Sequence, residues 1–372
     1  MKLLIAGDLS VQDRALYDLK IKGNLRWGGV SNLTSEHDHS IINLESPITD
    51  SKKRIYKDGP YLKNDKEVLS ILKKYGFDIV TLANNHLKDY GNDGVRDTFK
   101  ALEDKNVVYV GAGNNIEESR KPLILEQAGE RIGIVNVCES ELAIATDDTP
   151  GAHPLDLIEL FYDIPSLKKD VNKVIVIIHG GCEHYQLPTP AMKKRYHYIA
   201  DLGADIIINH HQHCYSGYEI YNDAPIFYGL GNFFFDNPKK RNSIWNYGLL
   251  LSIDTTDVRY FRIIPFEQCN ETPTIRLVDS ETELKKIERL NSIIENDSLL
   301  AEEFKKELGK KKPLSPYLPY SNHYLRALYH RGLFPSMLSD MRIAEMLNKM
   351  RCETHFEVFS TVFNEYFKNK TK

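Results

Sequence analysis

The sequence predicts an α/β fold that contains mixed β-sheets. Short apolar runs rich in Ile, Val and Leu recur through the first 275 residues, and helical patterns lie between several of them. Two of these runs, PLILEQ and RIGIVNV, flank the turn sequence AGE and are typical of an antiparallel hairpin. Strands that alternate with helices, with a hairpin among them, indicate that parallel and antiparallel strands share the fold.

The predicted elements follow one another without internal repeats or low-complexity segments. In KEVLSILKKYG, the apolar residues Val68, Leu69, Leu72 and Tyr75 share one helical face, and Gly76 is placed to end the helix. GVRDTFKALEDKN and PAMKKRYHYIADLG have the same helical pattern. The predicted strands are KLLIAGD, SIINLES, DIVTLANNH, VVYVGAG, the two hairpin strands, KVIVIIHGG, ADIIINHH, APIFYGLGNFFFD, YGLLLSID and VRYFRIIPF.

The character of the chain changes after about residue 280, where helical patterns replace strands. SETELKKIERLNSIIE begins with a capping-box pattern from Ser280 to Glu283, and SLLAEEFKKELG stops at Gly309. SNHYLRALYHRG and SDMRIAEMLNKMRCETHFEVFSTVFNEYF are predicted as further helices, whose histidines we assign to core or surface. We therefore predict one domain over residues 1–275 and a helical C-terminal extension over residues 276–372.

The overall composition is that of an ordinary globular protein. The 372 residues are 42% hydrophobic and 27% charged, with a net charge of −4, which argues against a nucleic-acid partner bound by bulk charge. The apolar stretch Leu3–Ala6 is too short for a signal peptide, and no apolar run is long enough to span a membrane. Five scattered cysteines without a CxxC pair indicate reduced thiols. We expect a cytoplasmic protein without a membrane anchor.

Polar residues that bind metals or transfer protons follow five of the predicted strands. Ligand sites in α/β sheets gather outside the carboxyl ends of the strands, so these residues can converge although they are distant in sequence. Imidazole, carboxylate and amide groups together suit a pair of divalent ions. The residues are Asp8, Glu45, the run Asn84, Asn85 and His86, then His179, and the cluster His210, His211 and His213.

The histidine cluster in INHHQHC is the strongest of these signals. Residues i and i+2 of an extended chain share a face, which predicts that His211 and His213 point together, one toward each ion. His210 then points away and is assigned a structural or supporting role. Taken alone, Asp8 fits a turn or helix N-cap and His179 fits a satisfied buried histidine, but the shared placement at strand ends favours a metal site.

Seven segments carry a resemblance to the CapA family, the bacterial capsule and poly-γ-glutamate proteins within the calcineurin-like metallophosphoesterase superfamily. They are AGDLS, INLESPIT, TLANNHLKDYGNDGVRDT, GAGNN, IHGGCEHYQLPTP, LGADIIINHHQHC and APIFYGLGNFFFD, in the family's order and over about residues 3 to 250. The resemblance implies a four-layer α-β-β-α sandwich of two mixed sheets flanked by helices. It also implies two divalent metal ions, Mn, Fe or Zn, at the strand ends.

The resemblance assigns a role to each matching residue. His86 would act on the leaving group or the charge of the transition state, and Glu183 matches a family glutamate that could be a general base, an anchor for a ligand or a hydrogen-bonding residue. Two departures concern the wider superfamily: Ser10 replaces a ligand histidine, and Glu45 replaces a shorter bridging aspartate. Asn209 stands where family members usually have glycine. The implied metal ligands are Asp8, Glu45, Asn85, His179, His211 and His213.

These observations predict a metal-dependent hydrolase, foremost a phosphoesterase linked to capsule, exopolysaccharide or poly-γ-glutamate synthesis. Its substrate would be an anionic small molecule or a polymer precursor. Two alternatives stay open: a non-catalytic assembly factor for the exopolymer, and a hydrolase of an amide or glycosidic bond in a cell-surface polymer. For the basic loop KKRIYKDGP after Glu45, two interpretations stay open: contact with an anionic substrate, or a solvated surface loop.

Overall fold

The computed structural model of the chain describes residues 1–57, 59–309 and 339–370. The predicted helix SNHYLRALYHRG, with His323 and His330, lies outside the described residues. The predicted domain division at residue 275 stays a prediction, and a strand, Thr274–Leu277, runs across that position.

The strands agree with the predicted apolar runs and include several short additional ones. They are β1 (Lys2–Ser10), β2 (Arg26–Trp27), β3 (His39–Leu44), β4 (Ile79–Thr81), β5 (Val108–Val110), β6 (Ala112–Gly113), β7 (Leu123–Gln127), β8 (Glu130–Cys138), β9 (Gly151–Ala152), β10 (Lys173–His179), β11 (Ile206–His210), β12 (Tyr218–Tyr221), β13 (Ala224–Phe227), β14 (Asn232–Phe235), β15 (Tyr247–Asp254), β16 (Phe261–Gln268) and β17 (Thr274–Leu277).

The helices lie between these strands and after them. Among the described residues, no helix combines the length and apolar character needed to cross a membrane. The helices are α1 (Asp13–Lys22), α2 (Val30–Ser35), α3 (Val68–Lys74), α4 (Gly91–Asp104), α5 (Ile116–Ser119), α6 (Leu157–Leu167), α7 (Pro190–Asp201), α8 (Ser280–Ile294), α9 (Asp297–Gly309), α10 (Asp340–Arg351) and α11 (Glu353–Lys370).

Three local predictions are wrong in detail. The N-cap of α8 is Asp279, whose carboxylate accepts a hydrogen bond from the Glu281 amide, because Ser280 already lies inside the helix. The last predicted helix is broken into α10 and α11 at Cys352, which has extended backbone angles. APIFYGLGNFFFD forms two strands in different sheets, since the glycine-containing segment between β13 and β14 crosses from one sheet to the other.

Two mixed sheets make up most of the described fold. The first has the order β2-β17-β16-β15-β1-β3-β4-β5, with β14 also paired to β1, and the second has the order β12-β13-β11-β10-β8-β7. The run β1-β3-β4-β5 is parallel in the first sheet, and β8, β10, β11 and β13 are parallel in the second. The predicted hairpin is confirmed as the antiparallel pair of β7 and β8.

Side-chain alternation along the strands separates the apolar residues into three layers. In β1, Leu3 and Ile5 join a cluster shared by both sheets, whereas Leu4 and Ala6 pack with the cluster that contains α1 to α4. The outer face of the second sheet packs with α6, α7 and α9. Because strand side chains alternate with a period of two, each buried strand serves two cores. The predicted four-layer α-β-β-α arrangement is therefore confirmed.

A close approach of two backbones fixes the carboxyl end of β1. An added Cβ at Gly7 would lie 1.8 Å from the carbonyl oxygen of Gly231, so any larger residue would push the two segments apart. The amide of Asp8 donates a hydrogen bond to that carbonyl at 3.2 Å. The segment that joins the two sheets thereby holds Asp8 in place.

The C-terminal helices dock on the sandwich through polar contacts. Glu353 at the start of α11 accepts hydrogen bonds from the amide and hydroxyl of Ser140, at 2.8 and 3.0 Å. One turn later, Glu357 accepts from the Thr189 hydroxyl and, at 3.1 Å, from the amide of Ala191. These contacts hold α11 against the loops that follow β8 and β10.

Candidate metal centre

Glu45 lies at the centre of the strand-end cluster and has unusual surroundings for a carboxylate. It is fully buried, and neither carboxyl oxygen has a hydrogen-bond partner within the part of the chain that the structure describes. Its Oε1 lies 3.7 Å from His179 Nε2 and 3.7 Å from His213 Nε2. Burial, followed by the nearby carboxylates of Asp8 and Glu183, raises the pKa of Glu45 well above its ordinary value. A buried carboxyl group without a partner is costly, and a cation between these atoms would remove that cost.

Four potential ligand atoms converge on one side of Glu45. His179 Nε2 lies 3.1 Å from Asn85 Oδ1 and 3.1 Å from His211 Nδ1, and Glu45 Oε1 completes the group. Ligands bonded to one zinc-type ion lie roughly 3 to 3.5 Å apart, given metal–ligand bonds of about 2.0 to 2.2 Å. The donor set and its spacing therefore fit one divalent ion, and the burial that lowers the pKa of His179 leaves this imidazole neutral.

The other side of Glu45 offers a group of three ligands. Asp8, Glu45 and His213 bring one potential ligand atom each within 4.8 Å of the others. Asn232 Oδ1 lies 2.9 Å from His213 Nδ1 and can accept a hydrogen bond from its N–H, which leaves the Nε2 lone pair free to face Glu45. Burial lowers the pKa of His213 to about 4, so the imidazole is neutral at physiological pH.

Ser10, which stands where the resemblance implies a ligand histidine, forms hydrogen bonds with its neighbours. Its hydroxyl lies 3.2 Å from the Ser46 hydroxyl and accepts a hydrogen bond from the Gln12 amide at 3.0 Å. The Asp8 side of the centre therefore has one ligand fewer than the His211 side among the described groups, and the two candidate ion positions are unequal.

The prediction that His211 and His213 share one face of an extended strand is wrong. β11 ends at His210, and His211 and His213 have left-handed backbone conformations with φ of +85° and +55°. Strand alternation does not apply to a loop of this kind, and the two side chains converge because the loop curls around the Asp8 carboxylate. Asp8 Oδ2 accepts a hydrogen bond from the His211 amide at 3.1 Å, which anchors the loop.

His210, set aside by the sequence argument, also faces the centre. It is 1% exposed, and its Nδ1 lies 4.0 Å from Asp8 Oδ1. Neither ring nitrogen has a hydrogen-bond partner in the described ranges of the chain. His210, Asp8 and His179 form a further group of converging ligand atoms. This imidazole lies on the side of Asp8 that faces Asn43, whose amide donates to Asp8 Oδ1 at 2.6 Å.

His86 stands beside the centre and is held by two buried charged residues. Its Nδ1 lies 2.8 Å from Asp89 Oδ2 and 3.0 Å from Lys57 Nζ, and Lys57 also pairs with Asp89. Asp89 is fully buried and Lys57 is 8% exposed. With Nδ1 held in this way, the Nε2 atom of His86 is left to act on a ligand. Lys57 belongs to the basic loop, so at this position the loop reaches the site rather than solvent.

A cavity of about 460 Å³ opens next to these residues. Asn85, His86 and Glu183 contribute to the side that faces the metal centre, and α10 and α11 form the opposite wall with Asn348, Lys349 and His355 among others. Glu183 is exposed at the cavity. Partial burial acts to raise the pKa of Glu183, but the facing histidines outweigh it and lower the pKa to about 2, so the carboxyl is ionised.

All eight residues predicted for the site lie in this region of the molecule. The structure brings the six predicted metal ligands together, and their role as ligands stays a prediction, as do the catalytic roles of His86 and Glu183. Sequence reasoning missed the contributions of Lys57, Asn43 and Asn232. Asn43 could have been found from its position near the end of β3, two residues before Glu45, whereas nothing in the sequence indicated the contact of Lys57 with Asp89.

Comparison with known proteins gives a consistent result over the sandwich. The family model described as "Bacterial capsule synthesis protein PGA_cap" matches residues 2–237. The capsule biosynthesis protein CapA of Bacillus anthracis is 33% identical over 217 residues, which is 56% of this chain and 53% of that protein. The PGA biosynthesis protein CapA of Bacillus subtilis (strain 168) is 33% identical over 204 residues, which is 54% of this chain and 53% of that protein. The chain thus matches about half the length of these relatives.

Among solved structures, a 5'-nucleotidase from Candida albicans SC5314 aligns with a TM-score of 0.44 and 12% identity. The alignment covers 82% of this chain and 56% of that chain. The fold assignment rests on the strand pairing rather than on this likeness.

Proposed function

The chain belongs to the bacterial capsule synthesis protein family PGA_cap, and on that premise we propose that it is a metal-dependent hydrolase of an anionic precursor or segment of a cell-surface polymer. Phosphoester hydrolysis is the reaction that the donor set supports best. Two divalent ions about 3.5 to 4 Å apart are a recurrent solution for this chemistry, and Glu45 lies between two candidate ion positions.

The observation that carries the proposal is the pair of unpartnered oxygens on Glu45. A fully buried carboxyl group that faces two imidazoles at 3.7 Å, with no donor bonded to either oxygen, is expected where a cation belongs. We expect Asn85, His179, His211 and Glu45 to hold the more tightly bound ion. Asp8, His213 and the shared Glu45 would hold the weaker one, because that side has fewer ligands.

The ions, when bound, would lower the pKa of water and offset negative charge on the phosphoryl oxygens. The remaining steps fall to residues of the chain. His86 presents Nε2 to the substrate while Asp89 and Lys57 fix its ring through Nδ1, so it can donate a proton or a hydrogen bond to the leaving oxygen. Glu183, ionised at the cavity, can accept a proton or orient water.

The cavity wall supports an anionic substrate. Lys57 and Lys349 both line the cavity, and Lys240 contacts the ring of His184, another lining residue, at 3.2 Å. Lysine ammonium groups favour phosphate and carboxylate ligands. The printed names of the relatives concern capsule and PGA biosynthesis, and we extend that setting to this chain as the source of its substrate.

The test combines metal analysis with turnover. Purified protein would be measured for bound metal and assayed against a panel of aryl phosphate mono- and diesters with Mn, Fe and Zn. We expect bound metal, metal-dependent turnover, and loss of turnover with retained metal in His86→Ala. The proposal would be overturned if the protein bound no metal and hydrolysed none of the esters with any of these ions.

One observation favours a second function, that of a non-catalytic assembly factor. Ser10 is bonded to Ser46 and Gln12 and leaves the Asp8 side short of a ligand, so the chain could retain one structural ion without hydrolysing a substrate. This alternative predicts one tightly bound ion per chain and no turnover. Restoration of the superfamily ligand in Ser10→His would then add a second ion, whereas a dinuclear enzyme already binds two.

A further inference from the structure

A second group of potential metal ligands lies where the C-terminal helices meet the sandwich. Cys352 separates α10 from α11 and is 1% exposed, and His355 lies one turn into α11, in a Cys-x-x-His spacing. Glu141 approaches from the loop that follows β8. One ligand atom from each of these three residues lies within 4.8 Å of the other two.

Hydrogen bonding at this junction is incomplete. His355 Nδ1 and Asn348 Oδ1 are both buried atoms without a hydrogen-bond partner among the described residues. Asn348 donates through Nδ2 to Glu141 Oε2 at 2.9 Å, and Cys352 Sγ lies 3.4 Å from Glu139 Oε2. The cluster thus contains two buried atoms with lone pairs and no donor directed at them.

The junction also has an excess of acidic groups. Glu139, Glu141 and Glu353 surround Cys352, and Arg195 pairs with Glu139 at 3.0 Å. Burial, followed by the charges of Glu139 and Glu141, raises the pKa of the Cys352 thiol far above its ordinary value. The metal-free protein therefore holds a neutral thiol, and a divalent cation would offset the surrounding carboxylates.

We propose that Cys352, His355 and Glu141 bind a zinc-type divalent ion at a site distinct from the strand-end centre. Thiolate, imidazole and carboxylate are all ligands of Zn²⁺, and three protein ligands leave a fourth position for water or a ligand in the cavity. Binding exchanges the thiol proton for the metal, and the proton is released to solvent. The ion links α11 to the loop after β8, and it lies in the cavity wall that faces His86 and Glu183.

The sulfur ligand gives this site a signature that the strand-end centre lacks. The described ligand groups at the strand ends consist of carboxylate, imidazole and amide groups, without a cysteine. Cobalt(II) bound to a thiolate shows a sulfur-to-metal charge-transfer band in the near ultraviolet, whereas cobalt bound by oxygen and nitrogen does not. The proposal therefore does not depend on hydrolase activity, and it can be tested without a substrate.

The experiment is a cobalt(II) titration of the full-length, metal-free protein, with zinc back-titration and metal analysis. We expect a charge-transfer band that saturates at the amplitude of one cobalt–thiolate site per chain, is lost in Cys352→Ala and His355→Ala, and persists in Cys269→Ala, a matched control for a fully buried cysteine elsewhere. Glu141→Gln should weaken cobalt binding at least tenfold. Because Glu141 lies in the sandwich and not in the helices, this variant shows whether loss of binding occurs without misfolding of α11.

Two outcomes would overturn the proposal: no charge-transfer band in the wild-type protein under excess cobalt, or a band that survives Cys352→Ala. The variant His211→Ala separates the two centres, because it should remove an ion from the strand ends and leave the band intact. Failure of the proposed hydrolase would appear in that variant's metal content and in turnover, and would leave the charge-transfer result unchanged.

Discussion

The strand-end centre and the cavity wall formed by α10 and α11 are built in opposite ways. At the strand ends, each side chain lies at or shortly after the carboxyl end of a buried parallel strand, so the topology of the two sheets brings the groups together. In the wall, Asn348, Lys349 and His355 reach the cavity because Glu353 and Glu357 dock a helix on loops far away in sequence. The positions of the candidate metal ligands are therefore set by backbone topology. The shape of the cavity is set by the docking of α10 and α11 on the sandwich.

The largest effect is expected from Glu45→Gln, which tests whether the strand ends carry the chemistry. The amide cannot bridge two cations, so we expect loss of at least one bound ion and a fall in turnover of about a thousandfold or more, since the ions supply several kcal/mol. Metal analysis and steady-state kinetics measure both. Glu117→Gln, at an exposed position on α5, is the control. Full activity in Glu45→Gln would show that the strand-end centre does not take part in catalysis.

His86→Ala separates proton transfer from metal binding within the same region. General acid catalysis contributes about 10² to 10⁴-fold, so we expect kcat to fall within that range while metal content stays unchanged. Asp89→Asn should lower kcat by about 10 to 100-fold, because the ring keeps its position less firmly. If His86→Ala also lost its metal, the residue would be a ligand and not a group that acts on the substrate.

Asn232→Ala tests how β14, a strand of the first sheet that pairs with β1, supports the weaker ion. Without the Asn232 oxygen, His213 loses the partner that fixes its tautomer, and we expect affinity at the Asp8 side to fall about 10 to 100-fold. Isothermal titration with Mn²⁺ should show weakening of one binding step and not the other. Equal weakening of both steps would indicate a general disturbance of the fold.

Metal binding should strengthen as the pH rises. Burial holds the pKa of Glu45 well above its ordinary value, so the metal-free protein retains a proton there that must leave when an ion binds. Release of one proton corresponds to about a tenfold gain in affinity per pH unit below that pKa. Titration calorimetry in two buffers of different ionisation enthalpy measures the release. An affinity that does not rise with pH would contradict the raised pKa of Glu45.

The smallest effect is expected in the wall. Lys349→Ala removes a partly exposed charge from the cavity, and such charges contribute about 0.2 to 1 kcal/mol, so we expect KM for an anionic substrate to rise by up to about fivefold. The values of kcat and metal content should not change. Met350→Ala, on the exposed side of α10, is the matched control. A large fall in kcat for Lys349→Ala would show that the cavity wall takes part in catalysis. The wall and the strand ends would then no longer differ in function.

The sequence predicts the strand-end region well because the relevant signals are local. Asp8, Glu45 and His179 each follow an apolar run, and parallel strands deliver their carboxyl ends to one edge. The contact of Lys57 with Asp89 depends on how a loop folds back, and the wall depends on the docking of α11, neither of which leaves a periodic pattern. The same holds for His211 and His213, which lie in a left-handed loop that strand alternation does not describe.

The left-handed backbone of those two histidines has a consequence for how this protein can change. Residues other than glycine in that conformation cost roughly 1 kcal/mol or more each, so His211 and His213 are kept at the expense of stability. Glycine at either position would relax the loop and remove a ligand. Selection for a more stable fold therefore favours glycine at these two positions, whereas selection for a filled metal centre favours histidine.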